Sequence, residues 1–425
     1  MHTLKQLRSG ALQGITRLDL SANLTEFAPE IFSLADTLEV LNLSDNQLSS
    51  LPDDLPRLHK LKVLFCSNNP FTELPEVLGR CANLEMVGFK SCRIRHVSGA
   101  ALPVKLRWLI LTDNALTELP QALGHCTRLE KLMLSGNQLS ALPESLKHCH
   151  NLALLRIAAN CFSDLPSWLT QLPKLAWLAV AGNPLCRNEP LAAKAFNEDE
   201  LTLGELLGQG ASGMIYAATL KASGAPLAVK RFKGHMTSDG LPASELAACL
   251  RAGEHPNLVS TLGIYNAHTP TPDLVLKRLD ARFKVLAGPP SLESCTRDCY
   301  APNTQLTAQQ AYQIALGVAQ AMAHLHAKGL LHGDLYAHNL LLSPEQQVLL
   351  SDFGAASIID DAPLLSALQK LESLAFGYLL DELLAHCTEP QHALAERLAT
   401  LKTECTRPLP STRPRFAQML QSLAV

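Results

Sequence analysis

A chain of 425 residues exceeds what one hydrophobic core fills, about 250–300 residues, so two domains are expected. Apolar residues at 47% and charged residues at 18% exclude a disordered chain, and an aromatic share of 5% argues against a large base-stacking surface. A net charge of −3 leaves no electrostatic footprint for nucleic acid or anionic membrane, so neither is an expected partner.

The opening residues, MHTLKQLRSG, lack the apolar core of a secretory signal, and no run approaches the roughly 18 apolar residues of a membrane span. A cytoplasmic location is expected. The twelve cysteines are scattered, with Cys126 and Cys149 at equivalent points one period apart, and read as free, mostly buried thiols. Cys295 and Cys299 form a C-x3-C that is either a metal pair or two ordinary loop thiols.

The first organisational signal is a ladder of Asn23, Asn46, Asn69, Cys92, Asn114, Asn137, Asn160 and Asn183, at intervals of 23 residues with a single 22. Each rung ends an L-x-x-L-x-L-x-x-N/C run, as in Leu38, Leu41, Leu43 and Asn46. Alternate leucines of a short strand point into a core, and the Asn side chain can bond backbone groups left open where the chain turns. Leu-Pro follows at Leu51-Pro52, Leu74-Pro75, Leu119-Pro120, Leu142-Pro143 and Leu165-Pro166, ending strand pairing and starting a return segment. This pattern resembles the leucine-rich repeat family, and eight stacked units would share one core.

Between the core leucines lie residues that face outward on the concave sheet, among them Val63, Phe65, Trp108, Ile110, Met133 and Trp177. That column is more apolar than a solvated surface, so it is expected to dock a protein or peptide. Two alternatives stand: the side chains pack on one another as lateral neighbours, or another part of the chain covers them.

The ladder ends at Gly182-Asn183-Pro184, and a short segment without a Gly/Ser tether leads to Leu201. Beyond it, Gly208-Gln209-Gly210-Ala211-Ser212-Gly213 is G-x-G-x-x-G flanked by β-prone residues, which fits a hairpin covering a nucleotide better than a helix-opening turn. Seventeen residues after Gly213, Leu227-Ala228-Val229-Lys230 sets one lysine in an apolar strand. Leu274 to Lys277 reads as another strand, and Gln309 to Lys328 as an amphipathic helix ending at Gly329. Then come His332-Gly333-Asp334-Leu335-Tyr336-Ala337-His338-Asn339 and, eighteen residues after Asp334, Asp352-Phe353-Gly354.

In this order the motifs resemble the eukaryotic-type protein kinase family over nearly all of 201–425. The resemblance implies that Gly208, Gly210, Gly213, Ile215, Ala228 and Leu276 surround ATP. It implies that Lys230 holds its α- and β-phosphates and pairs with Glu245, Glu254 being the fallback. Asp334 would take the acceptor proton, Asn339 and Asp352 would hold Mg²⁺, and His332 would be a structural spine residue.

Three departures accompany the likeness. Gly333 stands where the family has arginine, Ala362-Pro363-Leu364 is a remnant of A-P-E lacking its acid, and Arg413, the usual partner of that acid, needs another partner or is solvated. Only Ser357 and Ser366 offer hydroxyls between Gly354 and Glu372, so activity is expected without activation-loop phosphorylation. Glu372 replaces the Asp of the helix supporting the catalytic loop, and Tyr336 matches neither the serine/threonine nor the tyrosine pattern.

The expected fold is thus an α/β leucine-rich repeat solenoid over 1–187, a short linker over 188–200 and an α+β bilobal kinase domain over 201–425. The expected function is an ATP- and Mg²⁺-dependent serine/threonine-class protein kinase acting on a protein recruited by the repeats. The alternatives are a pseudokinase scaffold and a kinase for a small molecule.

Overall fold

Every 23 residues the chain buries two alternate apolar side chains and then turns on an amide. In this computed structural model, which describes residues 2–186, 192–210, 212–269 and 271–424, a short helix α1 (Leu4–Arg8) precedes strands β1 (Arg17–Asp19), β2 (Val40–Asn42), β3 (Val63–Phe65), β4 (Met86–Gly88), β5 (Trp108–Ile110), β6 (Lys131–Met133) and β7 (Leu154–Arg156). These strands pair in parallel and in register, Val40 opposite Val63, Val63 opposite Met86, and so on. The L-x-L residues, such as Leu41, Leu43, Leu132 and Leu134, are fully buried. Single 3-10 turns follow the prolines, as at Gln121–His125 after Pro120 and Glu144–His148 after Pro143.

Five of the ladder asparagines, Asn46, Asn69, Asn114, Asn137 and Asn160, serve at least three neighbouring backbone groups apiece. Asn137 Nδ2 donates to the Leu111 and Leu134 carbonyls at 2.9 and 2.8 Å, and its Oδ1 accepts from Leu116 N–H at 3.0 Å. Asn46, Asn69, Asn114 and Asn160 repeat the arrangement. At the fourth rung Cys92 Sγ lies 3.5 Å from the Cys66 carbonyl. The residue just before the rung is left-handed in repeat after repeat: Asp45, Asn68, Ser91, Asp113, Gly136, Ala159 and Gly182 have φ between +51° and +76°. The Asp, Asn and Gly found there are the residues that tolerate this region, a signal present in the sequence beside the ladder itself.

The apolar column is largely packed on itself. Trp108 Nε1 donates to the Met133 sulfur at 3.2 Å, the Lys131 ammonium lies 4.7 Å from the Trp108 ring centre, and the Phe65 ring fills the space over Gly88. Val63 and Met133 are buried, whereas Phe65, Trp108 and Ile110 are half-exposed. Trp177 does not belong to an open docking face, because it is 2% exposed and covered by Tyr336 and Tyr378. For this residue the expected partner contact gives way to the second alternative, cover by another part of the chain.

Contacts divide the chain into two units, Met1–Lys174 and Leu175–Val425, so the eighth copy of the repeat, β8 (Trp177–Ala179), lies in the second unit. Residues 188–191 of the expected linker, and Ala211 of the glycine-rich loop, lie outside the described residues. β9 (Ala195–Phe196), β10 (Leu201–Gln209), β11 (Gly213–Leu220) and β12 (Ala225–Phe232) precede helix α2 (Pro242–Ala252), with β13 (Thr261–Tyr265) and β14 (Asp273–Lys277) after it. They form a six-stranded sheet in the order β10-β11-β12-β14-β13-β9. Leu227, Val229, Ala218 and Val275 face one side and build a core with Phe196, Leu201 and Tyr265. By the period of two, Ile215, Ala228, Lys230 and Leu276 face the other.

The remaining elements are β15 (Lys284–Val285), helix α3 (Ala308–Ala327), β16 (Leu330–Leu331), β17 (Leu340–Leu342), β18 (Val348–Leu350) and β19 (Ser357–Ile358), then helices α4 (Ala362–Ala385), α5 (Ala393–Cys405) and α6 (Phe416–Leu423). α3 begins with a capping box of Thr307 and Gln310, and left-handed Gly329 ends it, which delivers the chain to the site in β16. α4 starts at Ala362, with Asp361 Oδ1 capping Leu364 N–H at 2.8 Å and Pro363 in the first turn. Ala362-Pro363-Leu364 is therefore a helix start. Arg413, expected to find another partner or solvent, is 1% exposed and donates to the Arg407 and Lys370 carbonyls at 2.9 and 3.4 Å. Burial pulls its pKa down to about 10. All twelve cysteines are free thiols, and among the described residues no helix is long and apolar enough to cross a membrane.

Candidate active site

The site is assembled from one sheet face, one helix and two loops. The β10–β11 hairpin carries Gly208, Gly210 and Gly213, and Gly210 N–H closes it by donating to the Gly213 carbonyl at 2.9 Å. A Cβ built on Gly208 or Gly210 meets nothing within 4 Å, so open space lies beside these two backbones. Gly213 is different: a Cβ there would lie 2.6 Å from the Arg231 carbonyl and 3.2 Å from Lys230 Cε, so only glycine lets the hairpin pass the lysine. Ile215 stands opposite Lys230, and Ala228 opposite Leu276, in the antiparallel registers of β11, β12 and β14.

Lys230 Nζ donates to Glu245 Oε1, from the first turn of α2. Glu254, the fallback partner, lies beyond Gly253, the residue that ends α2. Burial works against the Lys230 ammonium, but Glu245 and Asp352 outweigh it and hold its pKa above the ordinary lysine value. Glu245 is raised, first by burial and then by Asp352, against the pull of Lys230. Asp352 stands in the left-handed region, at φ +59°, and its Oδ1 accepts Gly354 N–H at 3.1 Å. A Cβ on Gly354 would lie 3.2 Å from Asp352 Oδ1 and 3.9 Å from Glu245 Oε2, so the two carboxylates flank the same glycine.

The loop after β16 supplies the other half. Asn339 Nδ2 donates to the Asp334 carbonyl at 2.8 Å and to Asp334 Oδ2 at 2.9 Å. His332 is buried beside Phe353, ring centres 5.3 Å apart. Its Nε2–H donates to the Ser351 carbonyl at 3.0 Å while its Nδ1 accepts Asp334 N–H at 3.3 Å, an arrangement that one neutral tautomer satisfies. Glu372 of α4 accepts Gly333 N–H at 2.7 Å through Oε1 and meets His326 Nε2 at 2.5 Å through Oε2.

A support that the sequence reading missed is Asp298, whose side chain is wholly buried. It accepts His338 N–H at 2.9 Å and contacts His338 Nδ1 at 2.7 Å. Burial opposes the imidazolium, but Asp298, then Asp334 and Asp352, raise the His338 pKa above its ordinary value. Asp298 lies in an irregular segment with no periodicity, and nothing in its spacing marks it. The structure thus groups Lys230, Glu245 and Asp352, with the glycine hairpin and the Ile215, Ala228 and Leu276 face beside the lysine, and pairs Asp334 with Asn339; Asp352 and Asp334 both act on His338.

Comparison with known proteins agrees with this architecture. Residues 201–379 match the family model for protein tyrosine and serine/threonine kinase, and residues 36–80 and 127–185 match leucine-rich repeat models. A probable myosin light chain kinase of Dictyostelium discoideum is 26% identical over 161 residues, 37% of this chain and 47% of the relative. Tyrosine-protein kinase Fer of Rattus norvegicus is 29% identical over 159 residues, 37% of this chain and 18% of the relative. An L-type lectin-domain containing receptor kinase, V.5, of Arabidopsis thaliana is 31% identical over 229 residues, 51% of this chain and 31% of the relative. In each case the match spans less than half of the relative's length. The chain carries leucine-rich repeats followed by a protein kinase domain.

Proposed function

We propose that the chain is an ATP- and Mg²⁺-dependent protein kinase of the serine/threonine class, acting on a protein held by the repeats and needing no activation-loop phosphorylation. The observation that carries this is the buried Lys230–Glu245 pair with Asp352 at its side, together with the Asp334–Asn339 hydrogen bond beside His338, whose charge both Asp334 and Asp352 favour. Phosphoryl transfer asks little covalent chemistry of a protein, so placement and charge compensation carry the rate.

Lys230 would hold the α- and β-phosphates, and the open backbones of Gly208 and Gly210, with Gly213, would lie over them. Ile215, Ala228 and Leu276 would form the apolar wall for adenine. Asp334 would orient the acceptor hydroxyl and take its proton. Asn339 and Asp352 offer the hard oxygen donors that Mg²⁺ prefers, and the ion when bound neutralises charge on the phosphate oxygens.

Independence from a loop switch is supported by the interval between Gly354 and α4. Its seven residues, Ala355 to Asp361, contain one hydroxyl, Ser357, which is 1% exposed and accepts Val180 N–H at 3.2 Å. Ser366, on α4, accepts from Arg415. The half-exposed Phe65, Trp108 and Ile110 are the part of the concave column left for a protein partner. Free thiols, eight of them buried, fit a cytoplasmic location.

The same short interval favours a second reading, a scaffold whose kinase fold binds nucleotide without transfer or serves a small acceptor, because little chain remains to dock a peptide. Incubation of phosphatase-treated protein with γ-labelled ATP and Mg²⁺ separates the readings. Label on protein, at serine or threonine, supports the kinase; label on a small molecule supports the small acceptor; no turnover leaves the scaffold.

A further inference from the structure

Asp334 is held from both sides by its neighbours' backbones. On its N-terminal side Gly333 N–H is taken by Glu372. On its C-terminal side the Leu335 carbonyl accepts the Trp177 Nε1–H at 2.9 Å. Trp177 belongs to β8, far from the loop in sequence and within the same unit.

Four more contacts join β8 and its exit to this region. The Trp177 indole lies flat on Tyr336, two residues after Asp334, with ring centres 4.2 Å and planes 7° apart. Its ring also stacks on Tyr378 of α4 at 5.5 Å. Leu178 presents its carbonyl to Gly333 so closely that a Cβ there would lie 2.8 Å away, and Val180 N–H reaches Ser357 in β19. A buried indole N–H needs an acceptor, and here that acceptor is a carbonyl next to Asp334 while the ring stacks on the same loop, so the tryptophan's burial is tied to the loop's placement.

We infer that Trp177 is a positioning residue for the proposed phosphoryl transfer: it fixes the Leu335–Tyr336 peptide plane as Glu372 fixes the His332–Gly333 plane, each one peptide removed from Asp334, and so aims the Asp334 carboxylate. The strand that ends the repeat pattern is by this account a working part of the kinase domain. The inference rests on the kinase reading for its catalytic consequence, while the clamp itself can be measured without turnover.

The experiment uses the full chain with Trp177→Ala and Trp177→Phe, reading turnover of γ-labelled ATP and amide hydrogen exchange. Misplacement of a catalytic group lowers the chemical step by about 100-fold, so Trp177→Ala should lose about that factor in kcat. The KM for ATP, set around Lys230, should stay within about twofold. Phenylalanine keeps a stacking ring but cannot donate to the Leu335 carbonyl, so it should recover only part of the rate. Exchange in peptides spanning 333–338 should rise in Trp177→Ala while peptides spanning 225–232 stay as in the wild type. An unchanged kcat with unchanged exchange at 333–338 overturns the inference, and so does an exchange increase spread evenly over both segments. If the wild type transfers no phosphoryl group, the kinase reading fails, and exchange at 333–338 alone decides whether the clamp exists.

Discussion

Lys230 and Glu245, fifteen residues apart in sequence, meet as an ion pair whose side chains are 13% and 3% exposed. Removing one partner of a buried pair leaves the other charge without compensation, at a cost of about 3–5 kcal/mol. Glu245→Gln keeps the volume and breaks the pair, and Asp352 still attracts the ammonium, so a loss near about 3 kcal/mol is expected. Urea denaturation measures it; a variant as stable as the wild type would show that the pair does not hold α2 against the sheet.

Gly333 and Gly224 have φ of +73° and +70°, but their surroundings differ. Around Gly224 nothing lies within 4 Å of an added Cβ, so Gly224→Ala should cost only the backbone strain, about 1–2 kcal/mol. At Gly333 the Cβ would lie 2.5 Å from the Ala355 carbonyl and 2.8 Å from that of Leu178, both backbone atoms. Gly333→Ala should therefore cost clearly more than its control, at least about 3 kcal/mol. Equal losses at the two sites would mean that the loop can move away from β8.

In the repeat unit two substitutions of opposite sign are expected. Asn137→Ala orphans Leu116 N–H in a buried turn and takes from the Leu111 and Leu134 carbonyls one donor each, leaving them Asn114 and Asn160; an unsatisfied buried group costs about 1–3 kcal/mol, so a loss of about 2 kcal/mol should appear in thermal or urea unfolding. Ala159 occupies the left-handed position at φ +52°, which Gly136 and Gly182 fill elsewhere. Ala159→Gly should gain about 1 kcal/mol. A loss on introducing glycine would contradict the account of the turn.

Thiol chemistry gives an independent reading of burial. Desolvation pushes Cys81, Cys92 and Cys126 up to about 11, and Cys149, Cys186 and Cys405 up to about 12. A raised thiol pKa leaves little thiolate at about pH 8, so these six should resist a disulfide reagent in the native protein. Cys161 and Cys299 are exposed and should react first. Rapid native-state labelling of Cys149 or Cys405 would go against this arrangement.

Much of this was legible in the chain because it is written in local spacing. The 23-residue ladder reports the core leucines and turn amides of each repeat, and the glycine hairpin, Lys230, Asp334, Asn339 and Asp352 stand in a fixed order between apolar strands. What escaped was tertiary. Trp177 reads as one more member of an outward column, and only the folded chain lays it on Tyr336. Ala362-Pro363-Leu364 reads as a remnant of A-P-E lacking its acid, and Asp361 and Pro363, strong helix-start residues, make it the first turn of α4. Asp298 carries no periodic signal, and Arg413 satisfies its guanidinium with carbonyls that no spacing rule points to.

The central claim is that the groups gathered around Lys230 and Asp334 transfer the terminal phosphoryl of ATP. Single-turnover transfer from γ-labelled ATP with Mg²⁺ tests it most directly, comparing the wild type with Lys230→Met and Asp334→Asn. The account predicts transfer by the wild type and a loss of at least about 100-fold in each variant, with both still folded by circular dichroism. Transfer that survives both substitutions, or a wild type that binds Mg²⁺ and ATP and never turns over, would contradict it.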